Sequence, residues 1–288
     1  MKDKDILFIK APFNYIGNKY RIIDSILPYF PKNINTFADM FCGGCDVSIN
    51  TKANSIYSND INYHVVDILR EFQKYNIDYI LDYIDTVIAK WSLSKTNEDA
   101  YKAFRSYYNE TKKPLDLYVL MCFSFNYQFR FNNKHDYNNP FGRNRSSFNE
   151  TMRNNLVKFK SRLNNITFSA HDFRDFDYSV LKSGDFVYAD PPYRLTCGSY
   201  NDGKRGFKGW YEKDEHDLLH LLTDLSDRGI RFAFSNVIEH KGQTNDIIVN
   251  WVHMNDYNVH SIDFNYDNCN YHTRNRASVT KEVLITNY

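Results

Sequence analysis

The residues of this chain best suited to chemistry are Asp190-Pro191-Pro192-Tyr193, which close the run Gly184-Asp185-Phe186-Val187-Tyr188-Ala189. Phe186 to Ala189 are apolar or aromatic, and a Gly-Asp turn signal precedes them. The double proline then ends the strand, because proline lacks a backbone N–H and fixes φ. A carboxylate, a rigid turn and an aromatic ring are thereby set at the carboxyl end of a buried strand, where ligands bind in open α/β sheets. Asp190 and the Pro191 carbonyl can both accept hydrogen bonds from an exocyclic amino group, while Tyr193 stacks on the ring that carries it. Alone, these four residues fit an ordinary strand ending in a Pro-Pro turn equally well, so the elements around them must decide.

Those elements alternate between strand and helix. Asn35 to Phe41 reads as a short strand, Cys42-Gly43-Gly44-Cys45-Asp46 as a glycine turn, and Val47 and Ile49 as the start of a helix. Such a unit lets a ligand approach the backbone and offers it free N–H groups. Ser55 to Asp60 is a second strand ending in an acid, about twenty residues on, the position from which a carboxylate bonds ribose hydroxyls. No phosphate-loop lysine follows the glycines, which favours a nucleoside over a nucleoside triphosphate. After an interruption, Ile166 to Ala170 forms a strand ending in His171-Asp172-Phe173. Phe186 to Asp190 is the central strand, Glu212 to Ser226 an amphipathic helix closed by Gly229, and Ile230 to Asn236 another strand. Residues 257–264 and 282–287 suggest a final antiparallel pair. The loop Arg194 to Trp210, with glycines at 198, 203, 206 and 209, is long enough to close over a site.

The interruption runs from about 62 to 163. Helical spacing over 62–125 predicts four segments, the last opened by Pro114. Residues 126–141 then alternate around an Asn133-Lys134-His135-Asp136 turn, as a β-hairpin does, and Gly142-Arg143-Asn144-Arg145 follows. Between Gln128 and Asn165 stand eight Lys/Arg (130, 134, 143, 145, 153, 158, 160 and 162) against Asp136 and Glu150, a local balance of +6 in a chain whose net charge is +1. With aromatics interleaved, this suits a phosphate backbone, and equally the solvated face of a helix.

The 288 residues, 42% hydrophobic and 25% charged, suit one large domain or two small ones; the 17% aromatic content is high. The longest apolar run, Leu117 to Phe125, is shorter than a bilayer requires, and no export signal is visible. Five cysteines form no secreted framework, and Cys42-x-x-Cys45 has no second pair at zinc spacing, so no metal site is expected. A reduced, cytoplasmic protein without membrane association is the expectation.

Taken in order, Tyr15-Ile16-Gly17-Asn18-Lys19, Asp39-Met40-Phe41-Cys42-Gly43-Gly44, Asn59-Asp60, Phe129-Arg130-Phe131-Asn132, Pro140-Phe141-Gly142, Asp190 to Tyr193, Ser235-Asn236-Val237 and Glu282 to Tyr288 resemble the Dam-type adenine-specific DNA methyltransferases. This is the alpha or D12 group, and the likeness to its phage Dam enzymes and restriction-modification methylases covers nearly the whole chain. The resemblance implies an α/β, Rossmann-like class I methyltransferase sheet dependent on S-adenosylmethionine, with an inserted helical and β-hairpin DNA-recognition lobe. Residues 1–61 and 164–288 would form the donor-binding catalytic domain and 62–163 the inserted recognition domain. Tyr15, Lys19, Asp39, Phe41 and Gly43 would surround the donor, Asp60 would hold its ribose, and Asp172 and Phe173 would flank its adenine. An adenine flipped out of double-stranded DNA would meet Asp190, the Pro191 carbonyl and Tyr193, with Lys19 beside them and Asp190 also near the donor. Gln128, Arg130, Asn132, Pro140, Arg143, Asn144 and Arg145 would contact DNA.

The resemblance has departures. Gln128 stands where the family carries an apolar residue, Asn144 where phage members carry arginine, and Asn14 where some carry lysine. The expected recognition sequence is GATC, the expected assembly a monomer, and a cognate restriction endonuclease a possible partner. The competing readings are an amino methyltransferase acting on cytosine N4 or on RNA, and an inactive donor-binding partner.

Overall fold

The structure is a computed structural model that describes residues 8–196, 207, 209–262 and 280–288. At the centre, β1 (Thr36–Asp39) and β4 (Phe186–Ala189) are buried along their whole length. Strands buried along their whole length belong in a parallel sheet covered on both faces. The Gly184-Asp185 signal has a mechanical role at their start. Gly184 takes φ +86°, and the buried Asp185 carboxylate accepts from Thr36 N at 2.9 Å and Lys182 N at 2.8 Å, tying the entry of β1 to that of β4.

Around this pair lie β2 (Ser55–Asn59), β3 (Ile166–Ser169), β5 (Arg231–His240), β6 (Gln243–Thr244), β7 (Asn258–Ser261) and β8 (Thr280–Thr286). The order is β3-β2-β1-β4-β5-β8-β7, with the short β6 paired to β5. Strands β3 to β5 along this path are parallel, whereas β8 runs antiparallel between β5 and β7. The expected antiparallel pair near the C-terminus is therefore present. Strand order reverses between β1 and β4, which makes their carboxyl ends the switch-point crevice of the sheet.

Side chains alternate across the sheet as strand geometry requires. Phe37, Phe186, Tyr188 and Leu284 belong to one buried cluster, and Ala38, Val187, Ala189, Val283 and Ile285 to the other. The second face is covered by α8 (Glu212–Asp227) and α9 (Asp246–Asn255), through Leu218, Leu222, Ile248 and Trp251. The first cluster continues without a break into the insertion. There α3 (Tyr63–Lys74), α4 (Ile77–Trp91), α5 (Glu98–Thr111), α6 (Pro114–Cys122) and α7 (Glu150–Lys160) pack around a core rich in tyrosine and phenylalanine. Helix α3 is fastened to the sheet, because Arg70 and Gln73 donate to the carbonyls of Phe168, Leu163 and Ile166.

The hairpin expected over 126–141 is reduced to two isolated antiparallel bridges, Ser124 with Phe141 and Phe131 with Tyr137. Tyrosines supplement the few backbone bonds between its arms. The Tyr101 hydroxyl donates to Asn139 O at 2.8 Å and that of Tyr137 to Gln128 O at 2.9 Å, so buried aromatic rings hold the loop by its carbonyls. Asn144 has φ +60°, a conformation asparagine tolerates better than arginine. In the loop expected to close over the site, residues 197–206 and 208 lie outside the described residues. No helix among the described residues is long and apolar enough to cross a membrane.

Candidate active site

Four strand ends open on one cavity of about 1040 Å³, lined by every residue expected around the donor and the target base. The loop before the first helical turn brings in Tyr15 and Lys19. Gly17 takes φ +82°, and Asn18 N closes a turn on Tyr15 O at 3.2 Å. Lys19 therefore points back into the cavity, with its ammonium 2.6 Å from Asp190 Oδ2, 3.0 Å from Gly17 O and 4.9 Å from the centre of the Tyr193 ring. Burial raises the Asp190 carboxyl above the ordinary aspartate range, and Lys19 acts in the opposite direction. Tyr193 donates towards Asp190 Oδ1 at 2.9 Å and towards Glu282 Oε1 at 2.8 Å. Burial and the neighbouring carboxylates lift its phenol well above the usual value, so it stays protonated at neutral pH.

The opposite wall is built from β1 and β2. Asp39 is 1% exposed. Its Oδ2 accepts from Ser48 at 2.6 Å, whereas its Oδ1 has no hydrogen-bond partner among the described residues. Burial pushes this carboxyl up to about 7. Asp60 accepts from Gly43 N and Asn62 N, both at 2.8 Å, and so holds the glycine turn in shape. Asn59 stitches three strand ends together, bonding Met40 O, His171 O, His171 N and the Ser169 hydroxyl. The helix after the glycines, α2 (Asp46–Asn50), is short.

Gly43 is required twice over. Its φ is +46°, and a Cβ there would lie 2.7 Å from Tyr15 Cδ1. Gly43→Ala combines left-handed strain of about 1–2 kcal/mol with displacement of Tyr15. It is expected to weaken donor binding at least tenfold while the fold survives; calorimetry alongside circular dichroism checks both.

Asp172 and Phe173 follow β3. Asp172 is ion-paired to Arg174, which also reaches Asp214 at 2.7 Å and Asp217 at 2.8 Å, bracing the β3 end against α8. Phe41, Phe173 and Trp210 form an aromatic corner with ring centres 5.6–5.7 Å apart. Sequence reading missed Trp210, Arg174 and the role of Glu282. A tryptophan between a glycine-rich loop and a helix start was the one available signal, since the other two act through partners distant in sequence.

The expected DNA-contacting residues separate into groups. Gln128 lines the cavity. Arg130 and Pro140 are exposed on the bridged loop and Asn144 and Arg145 on the turn that follows it, and neither Arg130 nor Arg145 makes an ion pair among the described residues. Asn132 serves the loop itself, its Oδ1 accepting from Lys134 N and Asp136 N. Arg143 is paired with Glu98 and Arg153 with Asp85, while Lys160 donates to Gln73 O. The basic surface is thus narrower than its charge count.

The sequence over residues 15–268 matches the family described as D12 class N6 adenine-specific DNA methyltransferase. Over 98% of its length the chain is 52% identical to the modification methylase StsI of Streptococcus sanguinis, covering 43% of that protein. Over 100% it is 47% identical to the type II methyltransferase M.FokI of Planomicrobium okeanokoites, covering 44% of it. The chain therefore spans less than half the length of these two relatives. The DNA adenine methylase of Serratia marcescens is 24% identical over 75% of the chain and 79% of its own length.

Proposed function

Since the chain belongs to the D12 class of N6 adenine-specific DNA methyltransferases, we propose that it methylates N6 of an adenine flipped out of double-stranded DNA, with S-adenosylmethionine as donor. The observation that carries this reading is the shared cavity. Asp190, Pro191 and Tyr193 stand on one side of it, and the partnerless Asp39 oxygen stands at the end of the neighbouring strand.

The residues present fit the donor. Asp39 Oδ1 is a buried acceptor suited to an ammonium group, and the Phe41–Phe173–Trp210 corner suits a purine. Asp60 retains lone pairs for ribose hydroxyls beside the glycine turn. When bound, S-adenosylmethionine supplies an electrophilic methyl group on a sulfonium centre.

The protein's task lies at the acceptor nitrogen, whose lone pair is delocalised into the purine and nucleophilic only when the amino group becomes tetrahedral. Asp190 and the Pro191 carbonyl accept the N6 hydrogens, favour that geometry and stabilise positive charge as it grows. Lys19 favours the ionised form of Asp190, which burial opposes. Tyr193 stacks on the base, and holding nitrogen and methyl in line supplies much of the remaining acceleration. Arg130 and Arg145, both exposed, would meet the DNA, where arginine can bond guanine bidentately.

The much higher identity to StsI and M.FokI than to a DNA adenine methylase favours a modification role, protecting a short site from a partner endonuclease, over a Dam-like GATC specificity. The test uses methyl-labelled donor with a GATC duplex, a randomised duplex and the same duplexes already N6-methylated. N6-methyladenine in unmodified DNA is the expected product. Label recovered as N4-methylcytosine, or only in RNA, would overturn the proposal.

A further inference from the structure

Tyr193 has one hydroxyl proton and two carboxylates within reach of it. Asp190 Oδ1 lies 2.9 Å from the phenol oxygen and Glu282 Oε1 2.8 Å. Glu282 comes from β8, the antiparallel strand beside β5, and is only 4% exposed.

The contact bears on how Asp190 is shared. Lys19 lies 2.6 Å from Oδ2. In the reading proposed above, an N6 hydrogen is best accepted at Oδ1, the oxygen that carries no ammonium, and the phenol points towards the same oxygen. If the phenol had no other acceptor, the arriving amino group would have to share Oδ1 with it, and each of the two bonds would be weakened. Glu282 removes that conflict. We propose that Glu282 is a positioning residue that takes over the Tyr193 hydroxyl proton as the target amino group engages Asp190, holding the ring in place while freeing Asp190 Oδ1.

Its charge has a second effect. The groups facing Asp190 are Lys19 from the N-terminal loop, Asp39 from β1, Tyr188 from its own strand, Tyr193 from the turn and Glu282 from β8. After burial, Glu282 is among the contributions that raise Asp190, opposed by Lys19. Neutralising Glu282 therefore moves the acid limb of the rate profile to lower pH.

The experiment is a double-mutant cycle on the full chain, with single-turnover methylation read at saturating donor and DNA and donor affinity read by calorimetry. Glu282→Ala is expected to slow transfer about tenfold to a hundredfold, the range seen for directly coupled neighbours, with donor affinity retained. Glu282→Gln, which keeps a carbonyl acceptor at the same place, is expected to recover most of the rate and to shift the acid limb downwards. In a Tyr193→Phe background, Glu282→Ala is expected to add no further loss, because no hydroxyl remains to be received. Additive losses in the cycle, a Gln variant as slow as the Ala variant, or an Ala variant as fast as the wild type would each overturn the pairing while leaving adenine methylation standing. Absence of adenine transfer by the wild type would overturn the activity reading and this inference with it.

Discussion

Asp190→Asn is expected to lower the single-turnover rate of N6 methylation about 10²–10³-fold, the effect of losing one preorganised electrostatic partner, and to leave donor affinity within about threefold. Asparagine keeps the shape and one oxygen acceptor, so the loss isolates the negative charge that meets the developing cation. Asp190→Ala is expected to abolish transfer. It also leaves the Lys19 ammonium, whose side chain is 7% exposed, without its carboxylate, and breaking a buried pair in this way costs about 3–5 kcal/mol. Thermal melts of both variants separate chemistry from folding: a stable Asn variant with a slow rate supports the role, and one with near-normal turnover removes Asp190 from the reaction. Lys19→Met tests the same pair from the other side. Without the ammonium, Asp190 rises further, so transfer is expected to fall at neutral pH and to recover as pH is raised.

The strand ends were legible because each carries its own local signal. Phe186 to Ala189 is an apolar run stopped by two prolines, and the glycine turn and Asp60 follow strands whose burial shows in their composition. The insertion was legible as helix for the same reason, from the spacing of Val65, Val66, Ile68 and Leu69. What escaped depends on partners distant in the chain. The pairing of Arg143 with Glu98 of α5 spans 45 residues and has no local signal. Glu282 meets Tyr193 across 89 residues because β8 inserts beside β5. Helix α9 gave no clear pattern, since Ile247, Ile248, Val249 and Val252 are β-branched; burial of Ile248 and Trp251 against the sheet overrides that preference. The bridged loop also reads as a regular hairpin, since nothing local reveals that hydroxyls of Tyr101 from α5 and of Tyr137 within the loop would engage its carbonyls.

Donor binding is expected to release a proton between pH 6 and 7, and Asp39→Asn to abolish the release. Burial pushes the Asp39 carboxyl up to about 7, with the Ser48 hydroxyl and the Phe41 backbone N–H opposing the rise and Asp190 and Asp60 adding to it. At pH 6 the folded enzyme therefore holds a proton on Asp39 that the unfolded chain, with an ordinary aspartate near 4, has already lost. This group's contribution to stability consequently falls as pH rises from about 4 to 7, then levels off. An ammonium placed against the partnerless Oδ1 favours the ionised form and lowers the carboxyl's pKa in the complex. Donor affinity should then rise with pH up to about 7, by as much as about tenfold per unit, and flatten above it. Calorimetry in two buffers of different ionisation heat measures the proton directly. Asp46 is also pushed up to about 7 by burial, but its Oδ1 accepts from Ala11 N at 2.8 Å, and Asp46→Asn is expected to leave the release unchanged. Release that persists in Asp39→Asn and vanishes in Asp46→Asn would move the donor's ammonium to the other carboxylate; release lost only in Asp39→Asn places it at the end of β1.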